Sequence, residues 1–267
     1  MTATVNILGV AVSSQSLVEV AADVVRRATA DKPARPPQYV CATSVHGLVE
    51  AARDPSFRAI LNRAALVVPD GMPLVWFGRS HGRRTMSRVY GPDLMWEVCR
   101  RTDRLPVRHF LYGGAPGVAE DLRARLRAVF PALRVVGVYS PPFRELSDTE
   151  LTEVAERINA SGADIVWVGL STPKQERWMA AVRDRLRARV LLSVGAAFDF
   201  HARRVRQAPR WMQGAGLEWL FRLSQEPRRL WRRYAYNNPV FLGLAMLQLA
   251  GLKKFTNGNQ AERTNAA

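Results

Sequence analysis

The sequence predicts an α/β fold, in which a mostly parallel sheet carries helices on both faces, followed by a helical appendage at the C-terminus. Three observations support this prediction. Short β-branched runs alternate with longer amphipathic segments, helix-start signals precede several of those segments, and the strand pattern stops after Val194. A chain of 267 residues in this class commonly has one hydrophobic core, so we expect one domain and an additional segment attached to it.

Short apolar runs with the length and composition of strands recur along the chain. Because amphipathic stretches of helical period separate them, the alternation favours a largely parallel sheet. We predict strands at Val5–Val12, Tyr39–Thr43, Leu66–Val68, Val107–Tyr112, Arg134–Tyr139, Ile165–Gly169 and Val190–Val194.

Three of the intervening segments carry a marked helix start. Asp54-Pro55, Gly91-Pro92 and Ser147-Asp148 each place a capping residue or a first-turn proline before periodic apolar residues. These positions predict where three helices begin.

The composition changes to arginine, tryptophan and proline beyond the last strand, and we place the start of the appendage near Val205. Since proline breaks a helix interior, we expect one helix to end near Gln225, a second to start at Pro227, and Asn237-Asn238-Pro239 to end it. The predicted parts are an α/β domain at 1–205, a helical Arg/Trp-rich appendage at 206–256 and a disordered polar tail at 257–267.

The appendage interleaves guanidinium groups with large aromatic rings. Between His201 and Tyr236 the chain has nine arginines and two glutamates, and the whole chain carries a formal charge of +16. Such charge raises the local concentration of phosphate-bearing partners. A membrane surface, a lipid phosphate or a nucleic acid would each suit this segment.

Cysteine usage and hydropathy indicate the compartment. Cys41 and Cys99 lie far apart, without the spacing of a disulfide framework or a zinc site, and fit a reducing cytosol. Val5–Val12 lacks the basic start and cleavage site of a signal peptide. Val240–Leu252 is shorter than the ~20 residues that span a bilayer. We therefore expect a cytoplasmic protein that is soluble or peripheral to a membrane.

Ligands of an open parallel sheet collect at the carboxyl ends of its strands. Gly113 and Gly114 follow one predicted strand, where backbone amides and the next helix can approach a phosphate. A tight turn without a ligand explains the same glycines. They match a dinucleotide fingerprint only in part, because no acidic residue stands at the ribose-reading distance.

Acidic and polar side chains follow three other predicted strands. Asp70 ends a buried run before a glycine, where it serves either as a general base or as the cap of the helix that begins at Met72. The segment Gly169–Glu176 suits a polar ligand such as a sugar, or forms an ordinary helix cap at Thr172-Pro173. Asp199 follows the last strand and requires a partner if it is buried.

Several catalytic motifs do not occur in the sequence. It has no DxD pair, no GxSxG elbow and no Walker lysine loop, and its four histidines lack ligand spacing. We therefore predict neither a metal nor a cofactor. A departing phosphate would then be stabilised by arginines, whose planar fork matches phosphate geometry and stays charged at physiological pH.

Six motifs occur in one order between Tyr39 and Tyr234. They are Pro69-Asp70-Gly71, Ser87-Arg88-Val89-Tyr90-Gly91, Phe110-Leu111-Tyr112-Gly113-Gly114, Pro173-Lys174-Gln175-Glu176, Gly195-Ala196-Ala197-Phe198-Asp199, and Gly216-Leu217-Glu218-Trp219 through Glu226-Pro227-Arg228-Arg229. In this combination the chain resembles the WecG/TagA/CpsF family of bacterial glycosyltransferases. The resemblance implies a Rossmann-like fold with a membrane-associating C-terminal extension.

The resemblance also implies an inverting, metal-independent transfer of a sugar from a UDP-sugar to a polyprenyl-diphosphate-linked saccharide. The product would be a surface polysaccharide such as an exopolysaccharide, a teichoic acid or an enterobacterial-antigen-like polymer. Asp70 matches the family's proposed catalytic base, and Arg88 and Gln175 match positions that line the pocket. Asp199 falls where the family is thought to contact the uridine.

Further residues follow from the same resemblance. Arg222, Arg229 and Arg232 match arginines that are proposed to complete the active site when the appendage folds against the core at the membrane. Thr43 and Ser44 are expected to bind substrate next to the base. The expected place of action is the inner face of the cell membrane.

The expected partners are a UDP-sugar, a polyprenyl-diphosphate-linked acceptor and an anionic membrane surface. We expect no nucleic acid, and the sequence does not decide whether the protein forms a homo-oligomer.

Two other classes of function stay open as well. Net charge and arginine-aromatic interleaving suit a nucleic-acid-binding α/β protein, although no known binding motif is present. The Gly113-Gly114 turn suits a nicotinamide-dependent oxidoreductase.

Overall fold

A computed structural model describes residues 3–257 and has the predicted α/β architecture. Within the described residues the strands are β1 (Thr4–Ile7), β2 (Val10–Ser13), β3 (Gln38–Thr43), β4 (Leu66–Pro69), β5 (Arg108–Gly113), β6 (Arg134–Tyr139), β7 (Ile165–Gly169) and β8 (Val190–Ser193).

The helices cover about half of the chain. They are α1 (Leu17–Thr29), α2 (Val45–Arg53), α3 (Pro55–Asn62), α4 (Met72–Ser80), α5 (Gly91–Thr102), α6 (Val118–Val129), α7 (Asp148–Ala160), α8 (Lys174–Val182), α9 (Ala197–His201), α10 (Arg210–Gly214), α11 (Glu218–Gln225) and α12 (Pro227–Leu249).

The three predicted helix starts are confirmed. Asp54 caps α3 by accepting the backbone N–H groups of Ser56 and Phe57, and α5 begins at Gly91 with a proline in its first turn. Ser147 and Glu150 form a reciprocal capping box at the start of α7.

Six strands form a parallel sheet that is flanked by helices, in the order β4-β3-β8-β7-β5-β6. The central strands β7 and β8 are apolar almost throughout and buried along most of their length. This burial on both faces is why they lack the polar alternation of a half-exposed strand. The prediction of a mostly parallel sheet is confirmed.

The chain divides into two compact units. The first unit contains residues 1–16, 43–89 and 206–267, and the second contains 17–42 and 90–205. The predicted domain limits at 205 and 256 stay a prediction.

Of the predicted tail, 257–267, only Asn257 lies within the described residues, and its side chain is buried. The remainder of that predicted segment lies outside the part of the chain that the structure describes.

The core of the second unit contains a closed polar network around His109. Its Nδ1 accepts a hydrogen bond from Trp167 Nε1 at 3.0 Å, and its Nε2 lies 3.0 Å from Thr102 Oγ1. Thr102 Oγ1 in turn donates to the Val98 carbonyl at 2.7 Å. Because Nδ1 accepts and Nε2 donates, the ring fits only as the neutral imidazole. Burial lowers the pKa of His109 to about 4.

The first unit begins with an antiparallel hairpin of β1 and β2, so the single strand predicted at Val5–Val12 is wrong. Leu8 and Gly9 both adopt positive φ, at 51° and 86°, and form the two-residue turn. The Asn6 side chain accepts the Gly9 N–H at 2.9 Å and closes the turn. Leu8 carries no turn signal in sequence, and it is fully buried in the fold.

The predicted break between the last two helices is confirmed, because α11 ends at Gln225 and α12 starts at Pro227. The predicted end at Asn237-Asn238-Pro239 is wrong, since α12 continues to Leu249. Phe241 and Ala245, which follow the proline, are buried, and α12 packs against α2. This packing offsets the ~3 kcal/mol that an interior proline costs.

The C-terminal apolar run therefore lies inside α12 as far as Leu249 and extends three residues beyond it. Among residues 3–257, none of the helices combines the length and the apolar character that a bilayer crossing demands.

The stability of the fold should depend on pH through His109. Since its pKa is about 4 in the fold and near 6.5 when unfolded, the unfolded chain binds more protons between these values. The contribution of the neutral His109 to the free energy of unfolding is complete above pH 6.5 and is lost as the pH falls. About 2 kcal/mol of the free energy of unfolding should be lost between pH 7 and pH 5.

Urea unfolding of the wild type and of His109→Gln at pH 7 and pH 5 tests this expectation. The variant should lose less stability over this interval than the wild type does, while His46 and His201 contribute equally in both proteins. The same pH dependence in the two proteins would contradict the expectation.

Candidate active site

Asp70 lies at the carboxyl end of β4 in the first unit. The four residues of β4 are all buried, whereas Asp70 itself is half-buried. Its backbone N–H donates to the Thr43 carbonyl at 2.9 Å, which places the ends of β3 and β4 side by side. The N-cap of α4 is Gly71 and not Asp70. Asp70 therefore does not cap α4, and its side chain lies at the end of β4.

Arg88 connects the Asp70 loop to the appendage. Its Nε donates to the Asp70 carbonyl at 2.5 Å, and its Nη2 lies 2.5 Å from Glu218 Oε2 on α11. The Arg88 and Glu218 side chains are only 14% and 15% exposed, so water screens their ion pair weakly. The Val89 N–H also donates to the Pro69 carbonyl at 2.9 Å. Arg88 thus fixes α11 next to the strand end.

Two helices of the appendage bring a cluster of arginines to this region. Burial lowers the pKa of the Arg233 guanidinium, and the charges of Arg222 and Arg229 lower it further, whereas Tyr234 and Asp70 act in the opposite direction. These interactions place Arg222, Arg229, Tyr234 and Asp70 each within electrostatic reach of Arg233. The carboxylate of Asp70, at a strand end, therefore interacts with the guanidinium of Arg233, which other arginines of the appendage surround.

Aromatic packing holds α11 and α12 together. The rings of Trp219 and Tyr234 meet edge to face, with centroids 5.8 Å apart. Burial raises the pKa of the Tyr234 hydroxyl, so it stays protonated at neutral pH. This contact sets the relative position of the arginines that the two helices carry.

The structure separates Arg232 from this cluster. Arg232 is exposed, and its guanidinium lies 5.4 Å from the centroid of the Trp231 ring. Arg233, which the sequence analysis did not single out, lies beside Asp70 instead. The choice between the adjacent arginines depends on how α12 rotates against α2, which the sequence does not reveal.

Thr43 and Ser44 both lie at the junction of β3 and α2. Thr43 is buried, and Ser44 is the N-cap of α2 but gives no side-chain capping bond. His46, in the first turn of α2, is a second residue that the sequence analysis missed. Burial, followed by the charge of Arg233, lowers the pKa of His46 to about 4. At neutral pH this imidazole is therefore uncharged.

A second group of polar side chains lies in the second unit and includes Gln175. This residue is almost wholly buried, its Oε1 accepts the Gly195 N–H at 3.1 Å, and its Nε2 donates to Glu176 Oε1 at 2.9 Å. The amide thereby ties the start of α8 to the loop after β8. Thr172 Oγ1 also donates to Glu176 Oε1, at 3.0 Å. The predicted cap at Thr172-Pro173 is replaced by this side-chain network.

Glu176 is the centre of that network and was considered from sequence only as part of a cap. It is fully buried, and burial raises the pKa of its carboxyl group. The neighbouring Cys41 thiol is also buried, and its pKa is raised by burial first and by Glu176 second. Hydrogen bonds from Gln175, Thr172 and Ser193 to Glu176 Oε1 oppose this effect of burial on the pKa and pair the buried carboxyl oxygen.

Close backbone packing by itself accounts for the two predicted phosphate-binding glycines. A Cβ at Gly113 would lie 2.5 Å from the Gly169 carbonyl oxygen, and one at Gly114 would lie 3.0 Å from Val118. Both glycines have positive φ. Asp199 lies partly exposed in the short helix α9. The roles of Gly113, Gly114 and Asp199 in binding a substrate stay predictions.

The predicted site residues thus fall into two groups. Thr43, Ser44, Asp70, Arg88, Arg222, Arg229 and Arg232 belong to the first unit, and Gly113, Gly114, Gln175 and Asp199 belong to the second. Over the described part of the chain, no three or more His, Cys, Asp or Glu side chains are grouped to hold a metal ion.

Comparison with known proteins identifies the class. The model of the WecG/TagA/CpsF family of glycosyl transferases matches residues 5–255. The protein is therefore a glycosyltransferase, and it belongs to the WecG/TagA/CpsF family. This result decides against the nucleic-acid-binding and oxidoreductase classes that the sequence left open.

Two similar proteins carry the same name, N-acetylglucosaminyldiphosphoundecaprenol N-acetyl-beta-D-mannosaminyltransferase. The one from Bacillus spizizenii is 33% identical over 184 residues, which cover 69% of each chain. The one from Bacillus subtilis strain 168 is 30% identical over 183 residues, which cover 68% of this chain and 69% of that protein.

The Arg88–Glu218 pair should contribute measurably to stability. Removing one partner leaves the other poorly solvated, so Arg88→Met or Glu218→Gln alone should cost about 3 kcal/mol of unfolding free energy. A double-mutant cycle by urea unfolding should give a coupling energy of about 1.5–3 kcal/mol.

The exposed pair Arg144–Glu150, with side chains 60% and 31% exposed, is the matched control. Its coupling energy should be about 0–1 kcal/mol. Equal coupling energies for the two pairs would show that Arg88 does not fix α11 in the way described.

Proposed function

We propose that this glycosyltransferase moves a sugar from a UDP-sugar to a polyprenyl-diphosphate-linked saccharide during synthesis of a cell-surface polysaccharide. The names of both relatives support the acceptor class, because each describes transfer to a sugar on a diphosphate lipid. N-acetylmannosamine is therefore the first donor sugar to test, and N-acetylglucosaminyl-diphosphoundecaprenol is the first acceptor.

The observation that carries this proposal is the position of Asp70 beside the arginines of the appendage. Asp70 is half-buried at a strand end, and it interacts electrostatically with Arg233, which in turn faces Arg222 and Arg229. A transfer to a hydroxyl group needs a proton acceptor for that hydroxyl and cations for the departing diphosphate. The first unit holds both kinds of group together.

In the proposed reaction, the Asp70 carboxylate accepts the proton of the acceptor hydroxyl while that oxygen attacks the anomeric carbon. The bond from the anomeric carbon to the UDP oxygen breaks, and its electron pair leaves with UDP. Attack opposite the leaving group inverts the anomeric configuration. Arg222, Arg229 and Arg233 stabilise the negative charge that develops on the diphosphate.

We further propose that the reaction requires no metal ion, because the arginines can supply the positive charge that a divalent cation would otherwise provide. Arg88 has a positioning role in this scheme, since both of its described bonds are to protein groups. The family resemblance also assigns Gln175 and Asp199 to substrate binding, and that assignment remains a prediction.

The appendage presents a surface that suits the inner face of a membrane. Trp211 and Trp231 are 67% and 52% exposed, and Leu242 and Met246 of α12 are exposed as well. Arg210 lies next to Trp211 in the sequence and is also exposed. Aromatic rings at the headgroup level and arginines paired with lipid phosphate together favour peripheral binding to anionic lipid.

Asp70→Asn should lower turnover by about 10²–10⁴-fold while the fold stays intact, since a positioned base contributes a factor of this size. The assay measures UDP released from a set of UDP-sugars in the presence of short polyprenyl-diphosphate saccharides, with mass spectrometry of the product. Excess EDTA should leave the wild-type rate unchanged.

Melting temperature serves as the control for folding of this variant. Near-normal transfer by folded Asp70→Asn would reject Asp70 as the base. An EDTA-sensitive rate that Mg²⁺ restores would reject metal independence alone. Absence of UDP release and of product with every donor and acceptor would reject the proposed reaction.

Membrane binding should depend on the exposed tryptophans. The double substitution Trp211→Ser and Trp231→Ser should reduce binding to phosphatidylglycerol vesicles by about tenfold or more. The reason is that two large apolar side chains, which the membrane would bury, are then missing. Co-sedimentation measures the bound fraction. Point substitutions are preferable to truncation after Val205, which would remove part of the first unit.

Phe143→Ser is the matched control, since Phe143 is 91% exposed but lies in the second unit. Its binding should equal that of the wild type. Unchanged binding of the double tryptophan variant, or equal binding to anionic and zwitterionic vesicles, would contradict the proposed membrane surface.

A further inference from the structure

Three buried polar atoms around Asp70 have no hydrogen-bond partner among residues 3–257, the part of the chain that the structure describes. They are Thr43 Oγ1, His46 Nδ1 and Arg233 Nε. Buried polar groups are nearly always paired in folded proteins, so a group of unpaired ones indicates a place where another molecule completes the hydrogen bonds. The reaction scheme above makes no use of His46 or of the Thr43 hydroxyl.

The three residues come from elements that meet next to Asp70. The Thr43 carbonyl accepts the Asp70 N–H, and His46 follows in the first turn of α2. The helix α12 packs against α2, and the Arg53 guanidinium of α2 lies 5.1 Å from the ring centroid of Tyr236 on α12. This packing brings Arg233 within electrostatic reach of both His46 and Asp70.

The chemistry of these atoms fits an anion. A hydroxyl, an imidazole N–H and a guanidinium N–H can all donate, which matches the acceptor oxygens of a phosphate group. The start of α2 adds backbone N–H groups that its N-cap, Ser44, does not bond through its side chain. The helix dipole at this end also favours negative charge.

Carboxylates offset part of the positive charge around Asp70 in the free protein. Arg88 pairs with Glu218, and Arg229 pairs with Glu226. Beyond those pairs, the carboxylate of Asp70 stands among the remaining arginines of the cluster. A diphosphate would therefore bring more negative charge than the arginines alone offset, and a proton on His46 would reduce that excess.

We propose that Thr43, His46 and Arg233 bind a phosphate group of a diphosphate, and that His46 takes up a proton when the diphosphate binds. This inference rests on the proposed function, and it adds a binding site and a protonation step to it. The diphosphate belongs either to the UDP-sugar or to the lipid-linked acceptor, since both carry the same chemical group.

The direction of proton uptake follows from the charges that face His46. In the free protein, burial and Arg233 hold the pKa of His46 at about 4. Glu50 and Arg53 lie on α2 itself, Arg58 is on the adjacent α3, and Asp70 is on the loop after β4. A bound phosphate opposes the charge of Arg233, so the pKa of His46 rises and binding strengthens as the pH falls.

Isothermal titration calorimetry of the full chain in buffers of different ionisation enthalpy measures the protons taken up. At pH 6, binding of inorganic pyrophosphate should take up about one proton more in the wild type than in His46→Gln. The affinity of the wild type should rise by about tenfold more than that of the variant between pH 8 and pH 6. The ligand's own titration is common to both proteins and cancels.

Two further variants separate binding from titration. Thr43→Val keeps the shape of the side chain, so it should weaken pyrophosphate binding at both pH values and leave the proton uptake unchanged. His81→Gln alters an exposed histidine on the C-terminal side of α4 and should match the wild type throughout. NMR titration of His46 with and without pyrophosphate reports its protonation directly.

UDP and a short prenyl diphosphate are titrated in separate arms, and the one whose proton uptake depends on His46 identifies the source. Equal proton uptake by wild type and folded His46→Gln with all three ligands would overturn the proposal, as would undetectable binding of all three. Sugar transfer without this uptake would reject the inference and keep the proposed function. Uptake without any transfer would reject the proposed function and keep the site.

Discussion

The contact of Arg88 with both Glu218 and the Asp70 carbonyl is the interaction on which the site depends. One guanidinium joins the strand end that carries the carboxylate to the first of two helices that carry arginines. Because the planar fork has donors in fixed directions, it holds two acceptors at once, which a lysine could not do with the same geometry. The pair is mostly shielded from water, so separating α11 from Arg88 would leave a poorly solvated charge without its partner.

His109 and His46 lie in different hydrogen-bonding environments. In the core of the second unit, both ring nitrogens of His109 have partners, and the neutral ring completes a closed network with Trp167 and Thr102. In the first unit, His46 has an equally low pKa, but its buried Nδ1 has no hydrogen-bond partner among the residues that the structure describes. The satisfied histidine stabilises a packed interior. The unsatisfied one lies where a ligand is expected to complete the hydrogen bonds.

The family relationship extends through the C-terminal helices, since the matched region runs to residue 255. Those helices lie in the same compact unit as Asp70, and Arg233 of α12 interacts electrostatically with it. They also expose large apolar side chains such as Trp211 and Trp231. One short segment therefore combines a guanidinium that interacts with the carboxylate and large apolar side chains that are exposed.

The sequence by itself determined the parallel α/β architecture, three helix starts and the prolyl break at Pro227, because periodicity, caps and proline are local properties. The sequence also indicated that Asp70, at the end of a buried strand, is a candidate general base. Only the tertiary structure decided that Val5–Val12 turns back as a hairpin and that α12 continues through Pro239, since burial outweighs local preference there. The proximity of Arg233 to both Asp70 and His46 likewise depends on how distant helices pack, and no local pattern encodes that packing.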